Sequence, residues 1–379
     1  MWLAGLNTRH LKTVNLPLIA AAMAGLLWTR GRASCLAIAM GGAFTHDALT
    51  RLLNGQNLRA VLETAALTLV ERTGGYLVLD DVVWEKRGKL IEGVTKLFMS
   101  SESRYVSGLN AVVLVWTDGK GLRVPLTFRF WKRPKWRTKK GHSWYAFDNT
   151  RHQTKNELAI ELLDWAYQKG FKPTAVLFDA AYPSKQMLKY LKHRNWQWVS
   201  RLKGNRALKV GGKKFCLDNW EAEAVAGRAP ALGKSVPAML ADWGQVRVIA
   251  TRVKEDGSLR FLVGSNPNWG RGRILALYGH RWCIETIFRD GKQLAGLGDC
   301  QCRALRAQQN HFALALLALV FIAYQAGRSE SSGSALNRIG NRAITLVAAP
   351  IPAKVRPIKL ARRKKGQKAH PIRRSGKAA

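Results

Sequence analysis

Acidic residues are scarce in this chain. Its 379 residues include 24 Asp and Glu against 62 Lys and Arg, so the formal net charge is +38 at pH 7. Such an excess excludes a neutral or acidic surface and favours a polyanionic partner, of which nucleic acid is the obvious one. The alternative is a protein that lies on a membrane surface, but here the basic residues are spread through a sequence that is 47% hydrophobic. We therefore expect a nucleic acid as the partner, and no membrane.

Cysteine is scarce too, and the five cysteines are scattered along the chain. An odd and scattered set argues against a disulfide framework and favours a reducing compartment. A zinc site built from Cys300, Cys302, Cys283 and His280 is conceivable. However, the spacing of these four residues fits no standard zinc pattern, so we do not expect one.

Long hydrophobic runs are missing as well. The apolar run Leu16–Trp28 is too short to span a bilayer. Arg30 and Arg32 follow it, where a signal peptide would carry small residues before its cleavage site. The run therefore predicts a buried helix, and we expect the protein to be cytoplasmic.

The hydrophobic pattern changes its period near residue 73. Before this point the spacing is helical, and after it come strand-like runs, with a turn at residues 118–121 between two of them. Helices and strands then alternate up to residue 203, an order that indicates an α/β fold with a mixed sheet. We expect the strands of this part at Tyr76–Asp80, Tyr105–Trp116, Leu122–Trp131, Thr174–Asp179 and Gln197–Lys203, and the helices at Thr154–Gly170 and Ser184–Asn195.

Three carboxylates stand out against this basic background. Asp80 and Asp179 each end a predicted apolar strand, and Glu285 lies in the polar segment Tyr278–Lys292. A carboxylate at the end of a buried strand is costly unless a positive group neutralises it, and a divalent cation can do so. Alone, each acid is more simply explained as a cap or an ion-pair residue. Together the three predict a metal site.

The segment around Glu285 has a regular spacing of functional side chains. At ~100° per residue, Arg281, Glu285 and Lys292 all lie within ~60° of Tyr278 on a helical wheel. These four residues would therefore project from one side of one helix, with Arg289 close by. Such a stripe offers one metal ligand and several groups that bind phosphate.

This spacing resembles the Tyr-x2-Arg-x3-Glu-x6-Lys signature of DDE transposases of the insertion-sequence-four family. The runs Leu79–Lys86 and Phe178–Lys185 are similar to the segments that carry the first and second aspartates of that family. Val82 departs from the pattern, because the family commonly has Thr there. The matches cover roughly residues 45–320.

The resemblance implies an α/β fold with a ribonuclease-H-like catalytic core that is interrupted by a β-rich insertion. It divides the chain into a helical N-terminal DNA-binding region (1–72), the first part of the core (73–204) and the insertion (205–268). The rest of the core follows, with the glutamate-bearing helix and the next helix (269–328), and then a basic tail (329–379). Residues 353–379 alone carry 11 Lys and Arg and no acid, which favours non-specific phosphate affinity.

The implied chemistry uses two Mg²⁺ ions ~3.5–4 Å apart, for which Mn²⁺ is expected to substitute. Asp80 would bridge the ions, Asp179 would hold one, and Glu285 the other. Asp81 is the rival for the first position, but alternation along a strand puts it on the opposite face of the sheet from Asp80.

By the same resemblance, Tyr278, Arg281 and Lys292 grip DNA phosphates near the cleaved end. Trp282 either stacks on an unpaired base or is a core tryptophan. The other basic residues expected at the DNA are Arg289 in the same segment, Lys203, Arg206 and the segment Arg129–Lys140. For the basic segments, a solvated surface is the alternative interpretation.

These residues indicate a cut-and-paste transposase. It would bind terminal inverted repeats, cleave DNA strands with the help of metal, and join the ends to target DNA as a homodimer. One alternative is a catalytically silent DNA-binding derivative of a transposase. Another is an unrelated ribonuclease-H-like nuclease, which would need neither the Tyr-Arg-Glu-Lys segment nor the long insertion.

Overall fold

The computed structural model describes residues 3–6, 14–29, 34–39, 44–88, 90–99, 102–132, 153–227, 229–253 and 256–339. Most of the basic segment 129–140 lies outside these ranges, as does the tail beyond residue 339. The expectations for those two segments therefore remain predictions.

One sheet of eleven strands organises the described residues. Its strands are β1 (Tyr76–Glu85), β2 (Thr95–Met99), β3 (Arg104–Thr117), β4 (Arg123–Trp131), β5 (Ala175–Phe178), β6 (Trp198–Leu202), β7 (Ala207–Val210), β8 (Lys213–Cys216), β9 (Ser235–Leu240), β10 (Gly244–Arg252) and β11 (Leu259–Gly264). The helices are α1 (Leu16–Trp28), α2 (Cys35–Ala39), α3 (His46–Gly55), α4 (Leu58–Leu67), α5 (Lys155–Gln168), α6 (Lys185–His193), α7 (Trp220–Val225), α8 (Arg271–Gly279), α9 (Trp282–Leu294), α10 (Leu305–Ala326) and α11 (Ser332–Ile339).

The order of strands places β1 at the centre of the sheet. β3 pairs with it antiparallel on one side, β4 pairs antiparallel with β3, and β5 and then β6 follow parallel to β1 on the other side. β11 pairs antiparallel with β6, so the strands within residues 205–268 extend the same sheet instead of forming a separate one. β2 was not expected from the sequence. β9 was not among the four strands expected within residues 205–268, at Leu208–Val210, Lys214–Leu217, Val246–Val253 and Leu259–Val263.

Helices cover both faces of the central strands, which explains why β3 is buried along most of its length. α5 packs on one face, against β3 and β4, while α9 and α10 pack on the other, against β4, and α9 also against β1. The turn between β3 and β4 is confirmed: Gly119 and Gly121 have positive φ, and Asp118 Oδ1 accepts hydrogen bonds from two backbone N–H groups of the turn.

The N-terminal helices are part of this core. α1 has the predicted bounds and is buried along most of its length, and α1, α3 and α4 all pack against α10. α10 is long and apolar enough to cross a membrane by length and composition, but 83% of its most apolar window is buried inside the protein. It therefore packs here as a core helix.

A buried asparagine of α10 joins the turn between α3 and α4. Asn310 Nδ2 donates hydrogen bonds of 2.7 Å to the carbonyls of Leu53 and Gln56, and its Oδ1 accepts one of 3.1 Å from the N–H of Leu58. Only 5% of Asn310 is exposed, so water cannot easily replace these bonds.

We expect Asn310→Leu to lower the free energy of unfolding by at least about 2 kcal/mol, because it leaves buried backbone groups unsatisfied. Urea denaturation of the variant and the wild type measures this loss. The matched control is Arg306→Ala one turn earlier, which removes a single exposed hydrogen bond to Gly55 and should cost about 0.5 kcal/mol. Equal stabilities for Asn310→Leu and the wild type would contradict the role of this side chain.

Candidate active site

Two aspartates lie at the same level of the sheet. The parallel pairing of β1 with β5 ends at Leu79 and Phe178, and Asp80 and Asp179 each follow that last pair. The expectation that Asp80 ends its strand was wrong. β1 continues to Glu85 because the long β3 pairs with it over its whole length. Only the neighbour β5 stops at this level.

Asp81 lies on the opposite face, as alternation predicted. Its Oδ2 accepts hydrogen bonds of 2.6 Å from Asn110 Nδ2 and from Lys155 Nζ, and its Oδ1 accepts one of 3.2 Å from the Tyr182 hydroxyl. Burial, followed by the charge of Asp81, raises the pKa of Tyr182, so this hydroxyl remains a donor. These three donors thus satisfy the carboxylate oxygens of Asp81 and hold the centre of β1 in place.

Arg281 joins Asp80 to Glu285. Its Nη1 lies 2.8 Å from Asp80 Oδ2, and its Nη2 donates to Glu285 Oε1. The Arg281 side chain is 14% exposed, and its guanidinium also lies 5.5 Å from the ring centre of Tyr278. The first and third predicted acids therefore come together around one arginine of the predicted signature.

The signature segment is not a single helix, contrary to expectation. α8 ends at Gly279 and α9 begins at Trp282, and the hydrogen bonds across the break span three residues, as in a 3-10 turn. Gly279 weakens the helix at this point. The ring of His280, in the break, stacks on Tyr76 at a centroid distance of 4.7 Å. Despite the break, the Tyr278 hydroxyl reaches Asp179 Oδ1, at 3.4 Å.

A second arginine faces Asp179. Arg201 Nη1 lies 3.9 Å from Asp179 Oδ1, and Arg201 Nε is buried without a hydrogen-bond partner among the described residues. Arg201 was not among the residues that the sequence predicted at the DNA, although its neighbours Lys203 and Arg206 were. Ser200 pairs with Phe178 in the parallel strands β6 and β5, which puts Arg201 level with Asp179.

The positive groups around Asp80 do not fully compensate the negative charge of its carboxylate. Burial and the negative charge of Asp81 raise the pKa of Asp80 to about 7, although Arg281 and the N–H of Asp81, at 2.8 Å, act in the opposite direction. A carboxylate in this position gains stability from any further cation. Burial also raises the pKa of Tyr278 to about 12, so its hydroxyl keeps its proton at neutral pH.

The donors at this site suit a hard divalent cation, since all three are carboxylates. Within the described ranges, no three Asp, Glu, His or Cys side chains are grouped closely enough to hold one metal ion together. Arg281 instead links Asp80 to Glu285, and Tyr278 and Arg201 lie next to Asp179.

The other predicted DNA-binding residues lie on α9, which carries Glu285, or in the turn after β6, which carries Arg201. Trp282 is 62% exposed, so it is not a core tryptophan. Arg289 and Lys292 are exposed on later turns of α9, and Arg289 forms an ion pair with the neighbouring Asp290. Lys203 is exposed and Arg206 half-buried in the turn between β6 and β7, next to Arg201 along the chain.

The strand order β4-β3-β1-β5-β6, with aspartates at β1 and after β5, defines a nuclease fold of the ribonuclease-H-like class, as predicted. The chain belongs to the family described as DDE superfamily endonuclease, whose model matches residues 13–260. The match contains Asp80 and Asp179 and ends before Glu285. No curated protein matches the chain.

Proposed function

We propose that this DDE superfamily endonuclease is a cut-and-paste transposase resembling the insertion-sequence-four family. It would cleave DNA strands at terminal inverted repeats and transfer the ends to target DNA. The proposal rests on Arg281, which forms ion pairs with both Asp80 and Glu285. These contacts link β1 to the Tyr-Arg-Glu-Lys segment. An unrelated ribonuclease-H-like nuclease would have no need for that segment.

We assign the metal site to Asp80, Asp179 and Glu285. Asp80 would contribute to both ions, Asp179 to one and Glu285 to the other. The raised pKa of Asp80 supports its role, because a further cation would stabilise its carboxylate. Bound Mg²⁺ or Mn²⁺ would activate the attacking oxygen and stabilise the leaving one. Asp81 is not part of this set, because three donors on the other face already satisfy it.

The side chains of the protein would hold the scissile strand. Arg201 and Arg281 flank the carboxylates and are the proposed phosphate ligands, since guanidinium groups bind phosphate oxygens in a bidentate manner. A phosphate oxygen would satisfy the unpaired Nε of Arg201. Tyr278, protonated at neutral pH, would donate a hydrogen bond to the same backbone. Trp282 offers an exposed ring for an unpaired base near the cut.

The remaining basic residues would extend this surface. Lys203 and Arg206 follow Arg201 beyond β6, and Arg289 and Lys292 continue along α9. Cations at such positions add affinity for any DNA sequence rather than reading bases. We further propose a homodimer on DNA and a cytoplasmic location, where the DNA is accessible.

The experiment uses supercoiled plasmids and the full chain. One plasmid carries the DNA that borders the gene on both sides, and the matched control carries the same borders in scrambled order. We expect cleavage at the borders of the first plasmid in Mg²⁺ or Mn²⁺, with 3′-hydroxyl ends, and no cleavage in EDTA. Primer extension maps the cuts.

Other outcomes would separate the rival functions. Binding to the borders without any cleavage in either metal would indicate the silent derivative. Equal cutting of both plasmids at scattered positions would indicate a non-specific nuclease.

A further inference from the structure

Two thiols from distant parts of the chain meet beside the N-terminal helices. Cys35 begins α2, and Cys302 lies in the segment between α9 and α10. Their Sγ atoms are 3.8 Å apart, although the residues are separated by 267 positions in sequence. Both side chains are half-buried, and both cysteines are free.

The backbone around Cys302 is held firmly. Gln308 Nε2 donates hydrogen bonds to the carbonyls of Cys302, at 2.6 Å, and Cys300, at 3.2 Å. The buried ammonium of Lys86, just past the end of β1, donates 2.6 Å hydrogen bonds to the carbonyls of Cys300 and Gly298. The position of the Cys302 sulfur is thus fixed by the core and does not depend on a free loop.

The surroundings also favour the reactive form of one thiol. Hydrogen bonds from the thiols of Cys300 and Cys35 lower the pKa of Cys302, and the nearby His311 and the ammonium of Lys86 act in the same direction, although burial opposes them. The thiolate is the form that attacks disulfides. Cys300 itself is buried, and its Sγ lies 3.8 Å from the carbonyl of Ala307.

We propose that Cys35 and Cys302 are a site of reversible intramolecular disulfide formation, driven by a small disulfide such as oxidised glutathione. The Cys302 thiolate attacks one glutathione sulfur, and a glutathione thiolate leaves. Cys35, once deprotonated, then attacks the Cys302 sulfur and releases the second glutathione. Two protein thiols lose two electrons, one glutathione disulfide gains them, and the two protons pass to solvent and the released thiols.

The bond would tie α2 to the segment that follows the Glu285 helix. Because α2 packs against α1 and α3, the cross-link would fasten the N-terminal helices to the core. Closing a loop of this length restricts the unfolded chain, so the oxidised protein should melt at a higher temperature than the reduced protein. In a reducing compartment the thiols would stay reduced, and the bond would form only under oxidative stress.

The test exposes the full-length protein to oxidised glutathione and counts free thiols under denaturing conditions. We expect the count to fall from five to three. Non-reducing peptide mapping should find the peptides of Cys35 and Cys302 joined, the melting temperature should rise, and dithiothreitol should reverse both changes. Peptide mapping needs no variant, so it decides the matter even if a substitution harms folding.

Variants then assign the pair. Cys35→Ser should abolish the joined peptide, whereas the control Cys216→Ser, at an exposed cysteine, should leave it intact. A protein that retains five thiols would overturn the proposal. A bond between Cys300 and Cys302, or glutathione that stays attached to Cys302, would overturn it as well.

Discussion

Replacing Asp179 by alanine is expected to abolish DNA strand cleavage and to leave DNA binding within a few-fold of the wild type. The carboxylate is 39% exposed beside Asp80, and its contacts are with Arg201 and Tyr278, which are the proposed phosphate ligands. Its loss removes a metal ligand but no group that touches DNA, so the cleavage rate should fall by more than about a hundredfold. Single-turnover cleavage and fluorescence anisotropy on the same border DNA measure the two quantities. A variant that nicks at the normal rate in Mg²⁺ would refute the assignment.

Asp80 and Asp81 provide a matched control for this experiment. Asp80→Asn should eliminate cleavage without lowering the melting temperature, because burial already disfavours its charge. Asp81→Asn should keep cleavage within a few-fold of normal but lower the free energy of unfolding by about 1–3 kcal/mol, since it weakens the bonds to Asn110 and Lys155. The reversed pattern would show that Asp81 is the first catalytic aspartate.

Charge-preserving changes at Arg281 and Glu285 are expected to have different effects. Arg281→Lys keeps the charge but loses the planar guanidinium group, which can form two parallel hydrogen bonds. The cleavage rate should therefore fall by about ten- to a hundredfold, while its dependence on Mg²⁺ is unchanged. Glu285→Gln keeps the shape but loses a ligand charge. The Glu285→Gln variant should cleave no DNA at any Mg²⁺ concentration at which the wild type is active. Cleavage rates across a Mg²⁺ titration measure both effects.

The simpler interpretation is a surface ion pair, worth only about 0.3–0.5 kcal/mol, for which both variants would stay within a few-fold of normal. The 14% exposure of Arg281 and its second bond to Asp80 argue against it. Arg273→Lys, at an exposed position of α8, is the matched control and should cleave normally. Near-normal rates for both Arg281→Lys and Glu285→Gln would refute a catalytic role for this segment.

The sequence predicted the parts of the site that depend on local spacing. Asp179 was placed within one residue of the end of its strand, because the apolar run Ala175–Phe178 stops at this aspartate. The alternation of side chains along a strand also correctly predicted that Asp80 and Asp81 lie on opposite faces of the sheet. The α/β class followed from the order of helical and strand-like periods, while the ribonuclease-H-like core came from the resemblance.

Long-range pairing decided the features that the sequence did not reveal. Asp80 and Asp81 are unfavourable residues for a strand interior, yet β3 pairs across them and extends β1 to Glu85. The helical wheel assumed a constant turn angle, so it could not reveal the break between α8 and α9. Arg201 reaches Asp179 only because β6 lies parallel to β5, a pairing that no local pattern contains.

The packing of the N-terminal helices on α10 has a consequence for biosynthesis. Leu53 and its partner Asn310 are separated by 257 positions, so α1, α3 and α4 leave the ribosome long before the helix that buries them. At about 5–20 residues per second, that interval lasts roughly 13–50 s. During this time the apolar surface of α1 is available to a chaperone or to another nascent chain. Aggregation during synthesis should therefore depend on the translation rate of the segment between α4 and α10.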